Sequence, residues 1–186
     1  CTDTGVVDIG GVWALKNQLF LITGVMASGK STVAQLLAER LEKSVHLRGD
    51  IFRKMIVSGR EDMSEDPSEE AVSQLHLRYR LTAETALAYF DQGFSVVIQD
   101  NYYGEDLNYM MNLLKGYPVQ LVVLCPSPEV VKEREKGRKK TGYSGFSVEQ
   151  LCDAFRRETP RIGFWIDNSL QTPQETVEEI LECFEG

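Results

Sequence analysis

Eight residues, Gly24 to Ser31, carry the pattern Gly-x-x-x-x-Gly-Lys-Ser, with Thr32 directly behind it. This spacing suits the phosphates of a nucleoside triphosphate. Gly24 and Gly29 lack side chains that would block a close approach, so the N–H groups of Val25, Met26, Ala27 and Ser28 can turn inward toward an anion. Lys30 is placed to reach the β and γ phosphates, and the Ser31 hydroxyl to ligate Mg2+. A helix predicted to begin here adds its free N–H groups and its dipole.

Other candidates are scattered along the chain. Asp50 follows the apolar run Ser44–Leu47, with Arg53 one turn beyond it, and Asp100, Asn101 and Tyr102 follow Ser95–Ile98. Arg134 and Arg138 lie four residues apart, on one face of a helix containing both. Carboxylates can orient a hydroxyl or hold a metal-bound water, and arginines can stabilise charge developing on a phosphoryl group. Plainer alternatives stay open: Asp50 as a helix cap, Asp100 as a turn residue, the arginines as a solvated basic face.

These pieces need elements to position them. Leu19-Phe20-Leu21-Ile22 reads as a strand buried on both faces, and Val33, Leu36, Leu37 and Leu41 fall at helical spacing after it. Ser44–Leu47, Ser95–Ile98, Val119–Leu124 and Phe164–Ile166 read as four further strands. Helices are predicted over Ile51–Val57, from a Ser68 cap to about Asp91, over Asp106–Lys115, from Pro128, from the Ser147–Gln150 capping box, and from Thr172-Pro173 to about Cys183. Strands alternating with helices imply right-handed crossovers, a parallel sheet and ligand binding at the strands' C-terminal ends. Gly24–Ser31, Asp50 and Asp100 each lie just past such an end, so they are expected to converge on one crevice.

The chain of 186 residues is long enough for one domain with a sizeable core. Its net charge of -8 argues against a nucleic-acid or anionic-lipid surface, so an anionic ligand needs a local cationic pocket. The run 61–70 carries six acids and no base and reads as a solvated loop, with a substrate flap as the sharper alternative. Cys1, Cys125, Cys152 and Cys183 form no metal-type pattern and read as free thiols. The absence of a long apolar run or secretion-type start points to a cytoplasmic protein, a monomer or homodimer without a membrane segment. A guanine-selecting Asn-Lys-x-Asp, the mark of a regulatory GTPase, does not occur, nor does a strand ending in Asp-Glu as in a mechanical ATPase.

The phosphate loop together with Arg48-Gly49-Asp50-Ile51-Phe52-Arg53 resembles the nucleoside-monophosphate-kinase-like group of P-loop small-molecule kinases, among them adenylylsulfate kinase, gluconate kinase and chloramphenicol phosphotransferase. Glu133 to Arg138 is similar to the lid of such kinases, and Ile166 to Leu170 to their loop near the adenine. The resemblance implies an α/β, three-layer P-loop NTPase fold, with a five-stranded parallel sheet of order 2-3-1-4-5, helices on both faces and a small lid at about 134–146. Residues 1–18 would form an N-terminal extension and 19–186 the kinase domain. It further implies ATP and Mg2+ as cofactors and transfer of the γ-phosphate to a hydroxyl of a small molecule. Lys30, Arg134 and Arg138 would attend the phosphates, Asp50 the acceptor hydroxyl, and Arg53, Asp100, Asn101 and Tyr102 the substrate. The Asp100-Asn101 segment is loosely similar to polynucleotide 5′-hydroxyl kinases, which keeps that activity open as an alternative. A nucleotide-binding module without kinase activity is another.

Overall fold

Side chains alternate along the first long strand, Leu19–Gly24, and this alternation builds both halves of the core. Leu19 and Leu21 point to one layer of helices, Phe20 and Ile22 to the other, and all four are fully buried. Each such side chain contributes roughly 1.5–3 kcal/mol by leaving water.

A computed structural model describes residues 17–64, 66–136 and 147–185, together with two short paired strands, β1 (Asp8–Ile9) and β2 (Val12–Trp13). The main elements are β3 (Leu19–Gly24), α1 (Lys30–Arg40), β4 (Ser44–Arg48), α2 (Asp50–Lys54), α3 (Glu69–Asp91), β5 (Ser95–Gln99) and α4 (Glu105–Leu113), followed by β6 (Val119–Leu124), α5 (Pro128–Lys136), α6 (Val148–Glu158), β7 (Phe164–Ile166) and α7 (Pro173–Glu185). The large sheet runs β4-β5-β3-β6-β7 and every pairing in it is parallel, which is the expected order 2-3-1-4-5. Buried residues of α1 and α7 cover one face, and those of α3, α4 and α6 the other.

Local chemistry accounts for the ends of the elements. The Ser68 hydroxyl accepts from the Ala71 N–H at 3.0 Å, opening α3. Ser147 and Gln150 form the predicted capping box, and Thr172 and Glu175 close a second one before α7. One prediction is corrected: the helix after β4 ends at Lys54 instead of reaching Val57. Met55 and Val57 find no core to pack on and are exposed, so nothing holds a further turn in place. Cys125, Cys152 and Cys183 are free thiols. Among the described residues no helix is long and apolar enough to cross a membrane.

Candidate active site

The loop between β3 and α1 adopts backbone angles that its glycines permit. Gly24 has φ +152° and Gly29 φ +97°, and Ala27 also takes a positive φ of +62°. A Cβ on Gly24 would lie 2.4 Å from the Leu124 carbonyl oxygen, so the loop is seated directly on the end of β6. The Lys30 ammonium donates to the Gly24 and Val25 carbonyls at 2.8 and 2.7 Å, arching back over the loop. The Ser31 hydroxyl donates to Gln99 Oε1 at 2.5 Å, which joins the start of α1 to the end of β5. Arg134 reaches the loop from α5, donating to the Ser28 carbonyl at 3.1 Å and the Asn168 carbonyl at 3.0 Å. Burial pulls its proton affinity down. Asn168 donates to the same Ser28 carbonyl at 3.0 Å. The Ser28 hydroxyl and Asn168 Oδ1 are buried without a hydrogen-bond partner. A loop with these backbone angles, an adjacent lysine and arginine, and an unmatched Ser28 hydroxyl free to donate fits the phosphates of a nucleotide.

Two strands away, Asp50 opens α2 from the end of β4. Arg53 Nε donates to its Oδ1 at 3.0 Å and Lys54 Nζ lies 2.5 Å from its Oδ2. Burial alone would raise the Asp50 pKa; the hydrogen bonds from Lys54 and Arg53 outweigh it and hold the carboxyl at about 2. Arg53 is shared, since its Nη1 also donates to Asp62 at 2.6 Å.

Asp100, at the end of the neighbouring strand β5, is gripped from α3. Arg78 Nε donates to its Oδ2 at 2.7 Å and Nη2 donates to its Oδ1. The pair is deeply placed, with side-chain exposures of 12% for Arg78 and 4% for Asp100. Burial opposes the Arg78 charge, and Asp100 outweighs it, so the guanidinium is held more firmly protonated. Arg78 Nη1 also lies 3.8 Å from Asp50 Oδ1, which links the two carboxylates through one cation. Gly49 makes this approach possible: a Cβ there would fall 2.2 Å from Asp100 Oδ2 and 3.1 Å from Thr82 Oγ1.

Beyond Asp100 lies a mixed aromatic and acidic group. The Tyr79 hydroxyl is 3.2 Å from the Asn101 carbonyl and 3.3 Å from Asp106 Oδ2. His76 stacks on Tyr109 with ring centroids 4.7 Å apart, its Nε2 4.0 Å from Asp106 Oδ1. Burial raises the Asp106 pKa, against the pull of Tyr79 and His76.

The structure therefore gathers residues 24–32, Asp50, Arg53, Asp100, Asn101 and Arg134 along one edge of the sheet. Tyr102 is a correction. Its side chain is 0% exposed and packs in the core 5.0 Å from the Tyr79 ring, so it does not line a substrate pocket. Its backbone turns inward because the Tyr102 N–H donates to the Thr23 hydroxyl, which donates back to the Tyr102 carbonyl, both at 3.0 Å. Arg138 and the 137–146 part of the expected lid lie outside the described residues. Arg78 and Gln99 are absent from the sequence-based candidates. For Arg78 the signal was a charge on the buried stripe of α3, three residues after Leu75 and four before Thr82.

Three solved structures with this fold illustrate the likeness. The adenylylsulfate (APS) kinase of Mycobacterium tuberculosis, solved with AMPPNP and APS, superposes with a TM-score of 0.70 at 16% identity, covering 92% of this chain and 99% of its own. The tunicamycin resistance protein of Deinococcus radiodurans gives 0.69 at 21% identity, covering 90% of this chain and 95% of its own. A sugar kinase from Janibacter sp. gives 0.65 at 19%, covering 91% and 95%. No curated protein matches the sequence closely enough to count as a relative. Residues 19–158 match the AAA domain family AAA_33, so the chain belongs to that family of P-loop kinase-like domains.

Proposed function

We propose that the protein is an ATP- and Mg2+-dependent phosphotransferase that moves the γ-phosphate of ATP to a hydroxyl of a small molecule. The observation that carries this reading is the order of the strand ends: phosphate loop on β3, Asp100 on β5, Asp50 on β4. Two strand spacings separate donor loop and Asp50 by about 10 Å, room for a phosphoryl group and an attacking hydroxyl between them.

Lys30, Thr32 and the loop N–H groups would hold the phosphates, and Ser31, oriented by Gln99, would hold the metal ion. Mg2+ bound there would supply charge neutralisation to the phosphates. The acceptor oxygen bonds to the γ phosphorus as the bond to the bridging oxygen breaks, ADP leaves, and the hydroxyl proton passes to solvent. With its pKa at about 2, Asp50 is ionised at neutral pH and orients that hydroxyl by accepting its hydrogen bond. Arg134, fixed beside the loop, adds positive charge where the transition state spreads negative charge, and Arg138 is assigned the same duty. A mechanical ATPase would call for an Asp-Glu pair ending β5, where Gln99-Asp100 stands with Asp100 engaged by Arg78.

The test is a phosphotransfer screen with ATP and Mg2+ over polyols, sugars, aminoglycosides, phenicols, nucleosides and 5′-hydroxyl oligonucleotides, read as acceptor-dependent ADP release. Turnover of a small hydroxyl compound, lost in Asp50→Asn, supports the reading. Turnover confined to oligonucleotides, or an Asp50→Asn enzyme of unchanged rate, overturns it.

A further inference from the structure

We infer that the acceptor carries no phosphate, sulfate or carboxylate group, and that Asp100 is the residue that sets this specificity by occupying Arg78. The inference rests on the kinase reading above. An anionic acceptor needs a cation free to receive it, most effectively an arginine presenting two N–H groups to one anion. Among the described residues three cations pair with Asp50 and Asp100. Arg78 gives two N–H groups to Asp100. Arg53 is divided between Asp50 and Asp62, and Lys54 lies on Asp50.

Of the other arginines nearby among the described residues, Arg60 lies 3.8 Å from Asp62, the carboxylate that Arg53 also holds. Arg80 is about 200° round α3 from Arg78. Arg48 pairs in register with Gln99, whose side chain turns to Ser31 on the α1 side of the sheet. Asp106 adds a further carboxylate to this quarter, with the Tyr79 hydroxyl at 3.3 Å and His76 Nε2 at 4.0 Å. Freeing Arg78 for an anion would leave Asp100, 4% exposed, as a buried carboxylate without its counter-ion. An uncharged or cationic hydroxyl compound needs no such rearrangement, because the paired carboxylates still have lone pairs for its O–H and N–H groups.

The test uses the full chain with AMP-PNP and Mg2+ bound, so that the phosphate loop is filled. Binding of AMP-PNP is measured first by calorimetry; its absence sinks the kinase reading and this inference with it. Phosphotransfer with ATP is then compared over matched pairs: a polyol and its phosphate, a nucleoside and its monophosphate, an amino sugar and its sulfate. Turnover is expected only with members lacking the anionic group, by 100-fold or more in kcat/KM, a fold-change of about 2.7 kcal/mol. Preference for a phosphorylated or sulfated member overturns the inference and leaves the kinase reading standing.

Inorganic sulfate gives a readout independent of the natural acceptor. The nucleotide-loaded wild type is expected to show no saturable sulfate binding, and Asp100→Asn to gain it, because Arg78 has lost its carboxylate. Sulfate binding by the wild type that disappears in Arg78→Gln refutes the assignment. So does a folded Asp100→Asn protein that gains none. Should Asp100→Asn not fold, the wild-type and Arg78→Gln titrations decide.

Discussion

Removing Arg78 while leaving Asp100 in place strands a carboxylate that is 4% exposed. Among the described residues it then keeps the Asn101 N–H at 2.8 Å. Breaking a buried pair from one side costs about 3–5 kcal/mol, so Arg78→Met should lower the unfolding free energy by that amount. Asp100→Asn should cost less, about 1–3 kcal/mol, because the guanidinium it leaves behind is less buried than the carboxylate, at 12% against 4% exposed. The double variant Arg78→Met with Asp100→Asn should fall short of the sum by about 1.5 kcal/mol or more, since the two changes remove one shared interaction. At roughly 2–4 °C per kcal/mol for a chain of this size, Arg78→Met melts about 6–20 °C below wild type. Urea unfolding without nucleotide, with the slope checked for constancy, measures all four corners of the cycle free of ligand linkage. A single-variant loss under about 1 kcal/mol, or strict additivity, would show that the pair is not the buried clamp described above.

Gly49→Ala drives a methyl group into Asp100, and melting curves should register a loss of about 1–3 kcal/mol. Gly116→Ala, at φ +94° with nothing nearby, should lose only the backbone penalty of about 1–2 kcal/mol and leave ligand binding unchanged. Lys30→Met should lower turnover about 10²–10³-fold, while circular dichroism and melting stay near wild type. Asp50 titrates near 2 in the folded protein against an ordinary 3.8, so its stabilisation is complete above about pH 4 and is lost as pH falls to about 2. Wild type and Asp50→Asn should therefore converge in stability by about pH 2, and a gap that persists there contradicts the assignment.

Much of the site's skeleton was legible because it is written in local patterns. The Gly24–Ser31 spacing, five strand runs and the Ser68, Ser147 and Thr172 caps each depend on neighbours within a few residues. Parallel pairing then placed Asp50 and Asp100 at one edge without further information. Arg78 was not legible as their partner, because its role is set by α3 crossing β5 and β4, a contact 22 residues from Asp100 and 28 from Asp50. Tyr102 misled for a related reason. Its place after Asp100 suggested a pocket wall, but the Thr23 hydroxyl, on a strand 79 residues away, turns the chain inward. The early end of α2 also followed from tertiary structure, since no core surface lies opposite Met55 and Val57.

Helix α2 fully buries none of its residues: Phe52 packs partly buried against the core, while Ile51 and, just past the helix, Met55 stand exposed. Five residues are too few to be stable alone, so α2 is held by Phe52 on the core and by the polar ties of Asp50, Arg53 and Asp62. Its opening therefore breaks the packing of Phe52 and little more apolar contact, whereas β3 and β5 are buried along their whole length. Amide protons of α2 should exchange with solvent orders of magnitude faster than those of the central strands. The strand end that carries Asp50 is thus a weakly held opening unit, two strand spacings from the phosphate loop on β3.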